Sequence, residues 1–164
     1  MMPLSRSFRS LLAAGLIAAG GSAFAQGAGP IEVGDLTISH AWTRATPPGA
    51  PSAGGYLTIS NAGSESDRLV SVSAPFAKES VVHSMSMQDG VMKMRAMSEG
   101  LEIQPGESVT LEPGGNHVMF MGLRSALTEG KSVPATLTFA RAGKVEISLP
   151  TARIGATQPP EASK

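Results

Sequence analysis

The sequence predicts an all-β fold, an antiparallel β-sandwich or barrel, and three observations carry that expectation. Short segments that alternate apolar and polar residues and are rich in Val, Ile and Thr recur from Ile31 onward. Clusters of Gly, Pro, Asn and Asp separate them, and no window shows the 3.6-residue periodicity of an amphipathic helix. Regularly spaced short strands of this kind pack best as two antiparallel layers around one core.

Taken in order, residues 31–39 and 56–60 alternate as strands, and Asn61-Ala62-Gly63 ends the second. Residues 67–73 form the next. Residues 80–87 and 91–96 flank Asp89-Gly90, the dipeptide suited to a two-residue type I′ turn, because both central residues need positive φ. Residues 101–103, 108–111, 117–123, 135–139 and 145–149 complete the set. Pro105-Gly106, Pro113-Gly114-Gly115 and Ala142-Gly143 supply the turns between them.

The first 25 residues read as a secretory signal peptide rather than part of the fold. Arg6 and Arg9 give a positive start, residues 11–19 an apolar stretch, and Ala23-Phe24-Ala25 a small-x-small cleavage site. The apolar run is too short for a membrane span, so the expected mature chain is periplasmic, without membrane insertion. One domain is expected over residues 26–149. Residues 150–164, polar and Pro-containing, are expected to form a flexible tail with too little apolar surface to offset ordering.

Composition removes several function classes. There is no Cys, which argues against a thiol oxidoreductase, a lipid-modified N-terminus and a blue-copper electron carrier, whose site needs a thiolate. Removing Arg6 and Arg9 with the leader takes the basic count from 13 to 11, against 13 acidic residues. No basic stripe marks a nucleic acid or an anionic membrane as partner. No nucleophile motif, carboxylate pair or phosphate loop supports an enzyme.

Chemistry concentrates between His83 and Met121. That stretch holds two of the three histidines and all of the nine methionines except Met1 and Met2. Thioether sulfur is a good donor for Cu(I) and a weak one for harder ions, and imidazole accepts copper in either oxidation state. With the Asp89-Gly90 turn in place, Met87 faces Met92 and Met85 faces Met94, so His83, Met85, Met87, Met92 and Met94 share one face. His117 and Met119 share a face of another strand. The bland alternative is that the methionines fill core gaps and the histidines are ordinary polar residues. The conjunction of two imidazoles with clustered thioethers favours a soft-metal site.

His83, ten residues, Met94, twenty-two residues, then His117-x-Met119 resembles the copper motif of periplasmic PCu(A)C-type copper chaperones. The surrounding Asp89-Gly90-Val91-Met92, Pro113-Gly114-Gly115 and residues 117–123 are similar to that family, as are residues 42–49 and 54–59, so the likeness runs from about Ile31 to Leu149. The gap before His117 is one residue longer than the family's, an addition readily placed in the loop at residues 97–100.

The resemblance implies a cupredoxin-like Greek-key sandwich with His83, Met94, His117 and Met119 as ligands; the hairpin register, with Met85 across from Met94, makes Met85 the nearest spare thioether. It implies Cu(I), with Cu(II) as the alternative, carried by a monomer toward cytochrome c oxidase copper centres, directly or through thiol-bearing assembly factors. A copper-buffering or resistance protein without a dedicated recipient is the competing function, and a metal-free adhesive or ligand-binding sandwich, its methionines simply core, the third. Met85, Met87, Met92, Met97 and Met121 are mostly expected to pack or to support the site, His40 to be a solvated surface residue, and Trp42 and Tyr56 to be anchors.

Overall fold

The computed structural model describes residues 29–161. Their strands are β1 (Ile31–Val33), β2 (Leu36–Arg44), β3 (Ser52–Asn61), β4 (Asp67–Ser73), β5 (Glu79–Gln88) and β6 (Val91–Ala96). The rest are β7 (Leu101–Ile103), β8 (Ser108–Leu111), β9 (His117–Met121), β10 (Ser132–Phe139) and β11 (Gly143–Ala152). No described residue is helical, and the fold is the all-β, cupredoxin-like sandwich that the sequence predicts. One layer runs β6-β5-β9-β3-β2, with β8 also on β3 and β1 on β2; the other runs β11-β10-β4-β7.

The two layers are stitched by β11. Its residues up to Pro150 pair antiparallel with β10, while Thr151 and Ala152 pair parallel with Thr43 and Arg44 of β2. Between the layers lies one apolar core. Leu36, Ile38, Leu57, Ile59, Val118 and Phe120 enter it from the first layer, and Leu69, Ile103, Leu137, Phe139, Ile147 and Leu149 from the second. Phe120 meets Phe76 at 4.9 Å between ring centroids, and truncating so buried an aromatic costs about 3–5 kcal/mol. Gly55 makes room for it: a Cβ there would lie 2.6 Å from the Phe120 ring.

Two bulges reset the inward and outward alternation. In β2 the pairing with β3 shifts by one residue between Ser39 and Trp42, and His40 takes a left-handed φ of 51°. Leu36 and Ile38 therefore point into the core, while Trp42 points out of it to meet Tyr56 at 4.6 Å. A matching shift where β10 meets β4 buries Leu69 and Val72 and leaves Val70 exposed.

Several boundaries differ from expectation. The segment expected as one strand at 31–39 is broken at Gly34, whose φ of 58° makes a turn before Leu36. Ordered structure also continues past the expected start of the tail at residue 150. Thr151 and Ala152 are buried and complete β11, and Ala156 packs with Trp42, Tyr56 and Ala152. The Ala156 carbonyl accepts a hydrogen bond from Arg44 Nε. Short, small residues can be held when backbone pairing and an aromatic cleft receive them, which composition alone does not reveal. The expected signal peptide at residues 1–25 lies outside the described residues, as do residues 162–164 of the expected tail.

Candidate metal centre

The site grows from β9 and the turn before it. Gly114 adopts a φ of 84°, the Gly115 N–H donates to the Glu112 carbonyl, and the Glu112 N–H donates to the Asn116 carbonyl. This tight turn delivers His117 to the start of β9 with its Nδ1 3.0 Å from the Gly115 carbonyl. A carbonyl only accepts, so Nδ1 carries the proton and Nε2 keeps its lone pair for a metal. His117 is otherwise buried, at 9% exposure.

β5 lies antiparallel on β9 with His83 directly across from His117 and Val81 across from Met119. The two imidazole centroids are 5.7 Å apart at 61°. Cross-strand partners share a face and alternate residues repeat it, so His83, His117 and Met119 all stand on the outer face of this layer, away from the core residues Val82, Val118 and Phe120. The Nδ1 of His83 is buried and has no hydrogen-bond partner among the described residues. A nitrogen stripped of water and left unpaired is costly, and such an orphan points to a missing ligand. Burial, reinforced by the neighbouring His117, lowers the His83 pKa from its ordinary value and favours the neutral, metal-binding form.

The hairpin register is as the Asp89-Gly90 dipeptide predicts. Both turn residues have positive φ, 53° and 76°, and Gln88 faces Val91, Met87 faces Met92, and Met85 faces Met94. Met94 therefore stands on the same face as His83, one diagonal step away. It lies on the opposite side of β5 from Met119, and in a flat sheet their Cα atoms would be about 16 Å apart. For Met94 to join the histidine pair around one ion, the β5–β6 arm would have to twist and coil over β9. β6 is an edge strand exposed along its length.

Other sequence expectations find their places. His40 is exposed, and its Nδ1 touches only Ser39 Oγ. Met97 packs against the core. Met121 continues the Met119 face one row further, opposite Glu79 and Ser52. Met87 and Met92 are exposed at 65% and 47%. Among the described residues no group of three or more His, Cys, Asp or Glu could hold a metal, and Met119 is the thioether that shares the outer face of β9 with His117.

Two features were not singled out from sequence. A cavity of about 260 Å³ opens beside His117 and Met119, walled by Arg44, Tyr56 and the Pro113–Gly114 turn and floored by Gly54. A Cβ on Gly54 would clash with the Tyr56 hydroxyl, so the close approach of that ring requires glycine. The Arg44 guanidinium sits 5.3 Å from the Tyr56 ring centroid. Burial raises the Tyr56 pKa, partly countered by Arg44. The second feature is Asn116, whose side-chain oxygen accepts the Met85 N–H and ties the base of the arm to the histidine turn.

The chain as a whole is similar to several known proteins. A family model described as “Putative lipoprotein LpqE-like” matches residues 36–151. A protein of Leifsonia xyli subsp. xyli named “Putative lipoprotein Lxx21020” is 29% identical over 115 residues, covering 70% of this chain and 68% of its own. Among solved structures, the copper-bound PCuAC domain from PmoF2 superposes with a TM-score of 0.65 at 25% identity, covering 77% of this chain and 99% of that domain. The apo PCuAC domain from PmoF1 gives 0.65 at 28%, covering 76% and 99%. The apo-DR1885 solution structure from Deinococcus radiodurans, at 24% identity and a TM-score of 0.58 over 90% of this chain and 97% of that one, shares the fold.

Proposed function

Because the chain belongs to the LpqE-like family, we propose that it is a Cu(I) metallochaperone whose ion is held by His83, Met94, His117 and Met119. The observation that carries this reading is the His83–His117 cross-strand pair with Met119 on the same outer face. The structural neighbours that are PCuAC domains, one of them copper-bound, support it. Two imidazoles and two soft thioethers are all neutral donors that suit Cu(I), and the thioethers make the set a poor one for Zn(II).

Each residue has a definable part. The Gly115 carbonyl fixes the His117 tautomer, and the low proton affinity of His83 keeps it available. Met119 supplies a thioether beside the cavity, while Met94 reaches the ion from the exposed edge strand of the arm. With the ion at an accessible face, a recipient can replace these ligands one at a time, which suits a carrier. No step of this requires catalysis.

The proposed setting is the periplasm, reached through a cleaved leader at residues 1–25, and the proposed destination is the copper centres of cytochrome oxidase, directly or through thiol-bearing assembly factors. Buffering without a dedicated recipient is the alternative. Competitive metal loading of the purified protein tests the first part: about one Cu(I) per chain in preference to Zn(II) is expected, and tight zinc uptake without Cu(I) overturns it. Oxidase copper content in cells lacking the protein tests the destination. Loss of oxidase copper supports delivery; an effect on copper tolerance alone supports buffering.

A further inference from the structure

The geometry points to a second, outer Cu(I) site on the β5–β6 arm, built from Met85, Met87 and Met92, with Met94 shared between it and the histidine centre. The inference rests on the reading of His83 and His117 as a Cu(I) site and adds a place where the ion is first captured.

Four thioethers form a ladder on one face of the arm. Met87 faces Met92 and Met85 faces Met94, and the face is the one that carries His83. A two-residue turn makes Gln88 and Val91 the hydrogen-bonded pair beside it, so by alternation both methionine pairs occupy non-hydrogen-bonded positions. There the Cα atoms approach to about 4.5 Å and facing side chains lie closest. Each methionine has a flexible, unbranched side chain able to turn its sulfur toward a shared ion.

Burial argues against packing as the reason for these residues. Met87, Met92 and Met94 are 65%, 47% and 48% exposed. None of the ladder methionines is part of the core, unlike Met97. Large apolar side chains at an exposed edge are a liability for aggregation, and thioethers are the apolar groups with a second use, as soft-metal donors.

Charge is arranged to suit a cation. Lys93 and Arg95 face Ser86 and Ser84, which alternation places on the other face of the arm. Asp89 is exposed at the turn, one residue pair, Gln88 with Val91, beyond the outermost methionines. The order along the arm is therefore the acidic turn, Gln88 with Val91, Met87 with Met92, Met85 with Met94, and then the two histidines. Passage along it exchanges one Cu–S bond for another and finally for Cu–N bonds. The ion stays Cu(I) throughout, and no proton or electron moves.

The test uses full-length mature protein with its methionine methyl groups 13C-labelled, titrated with Ag(I) as a soft, redox-inert probe and then with Cu(I) anaerobically. The first equivalent should perturb Met119 and Met94; a second, weaker equivalent should shift the methyls of Met85, Met87 and Met92. The M87L/M92L double variant should keep the first equivalent and lose the second, and the H83A/H117A variant should bind Ag(I) only at the outer site. Uptake of one equivalent with Met87 and Met92 unshifted at saturation would overturn the outer site alone. Retention of the second equivalent in M87L/M92L would do the same. A protein that loads only the outer site would instead overturn the histidine centre.

Discussion

His83 and His117 are direct cross-strand partners on β5 and β9, 5.7 Å apart by ring centroid, yet only His117 has its Nδ1 tied to the backbone. One imidazole is fixed and the other, with a buried unpartnered Nδ1, is left to be completed. This asymmetry sets the first prediction.

Replacing His117 or His83 by Ala should weaken Cu(I) binding by more than the 10–100-fold, about, that loss of a supporting hydrogen bond alone costs a metal site. Replacing the exposed His40 should leave affinity unchanged. Competition against a Cu(I) chelator measures both, and equal losses at His40 and His117 would rule out the constellation.

The apo protein should lose stability on acidification partly through His83. Its folded pKa lies below the unfolded value of about 6.5, so the unfolded chain binds more protons in that window. Stability is unaffected above pH 6.5 and falls as pH drops through it toward the lower folded pKa. Denaturant midpoints of the metal-free protein across pH 7.5 to 5 should show this fall, and His83→Gln should flatten it.

At the tip of the arm, Gly90 has a φ of 76° and nothing within 4 Å of a would-be Cβ. Gly90→Val therefore meets a conformational penalty of about 1–2 kcal/mol and no clash. The expected result is lost hydrogen-exchange protection in the arm beyond Met85 with the sandwich still protected, together with weaker metal binding at the outer methionines.

Gly55→Ala should be felt in the core. The added methyl meets the Phe120 ring, itself 1% exposed, and overpacking of this kind costs about 1–3 kcal/mol. A reduced denaturant midpoint with metal binding retained by whatever remains folded is the expected outcome; an unchanged midpoint would mean that Phe120 can move aside.

The arm was legible in the sequence because its register depends on two adjacent residues: Asp89-Gly90 selects the turn, and the turn selects Met85 against Met94. The strands were legible by alternation, the all-β class with them. The juxtaposition of His83 with His117 was reachable only through the spacing of the family motif, since nothing local says that β5 lies on β9. The outward turn of Trp42 depends on a bulge that exists only in the pairing of β2 with β3, and the capture of Ala156 depends on the Trp42–Tyr56 cleft so created. Both are properties of partners distant in sequence, which a reading of one segment at a time does not contain.

The stitching strand also sets a clock. Thr43 and Thr151 pair across more than a hundred residues, and so non-local a contact is among the last a chain can close and among the slowest. A chain emerging N-terminus first can assemble β2, β3 and the metal-bearing arm while the layers remain unjoined at this edge. Closure of this edge therefore waits on Thr151 and Ala152, and a stop codon shortly before Thr151 would leave every proposed ligand in place on a sandwich that lacks this latch.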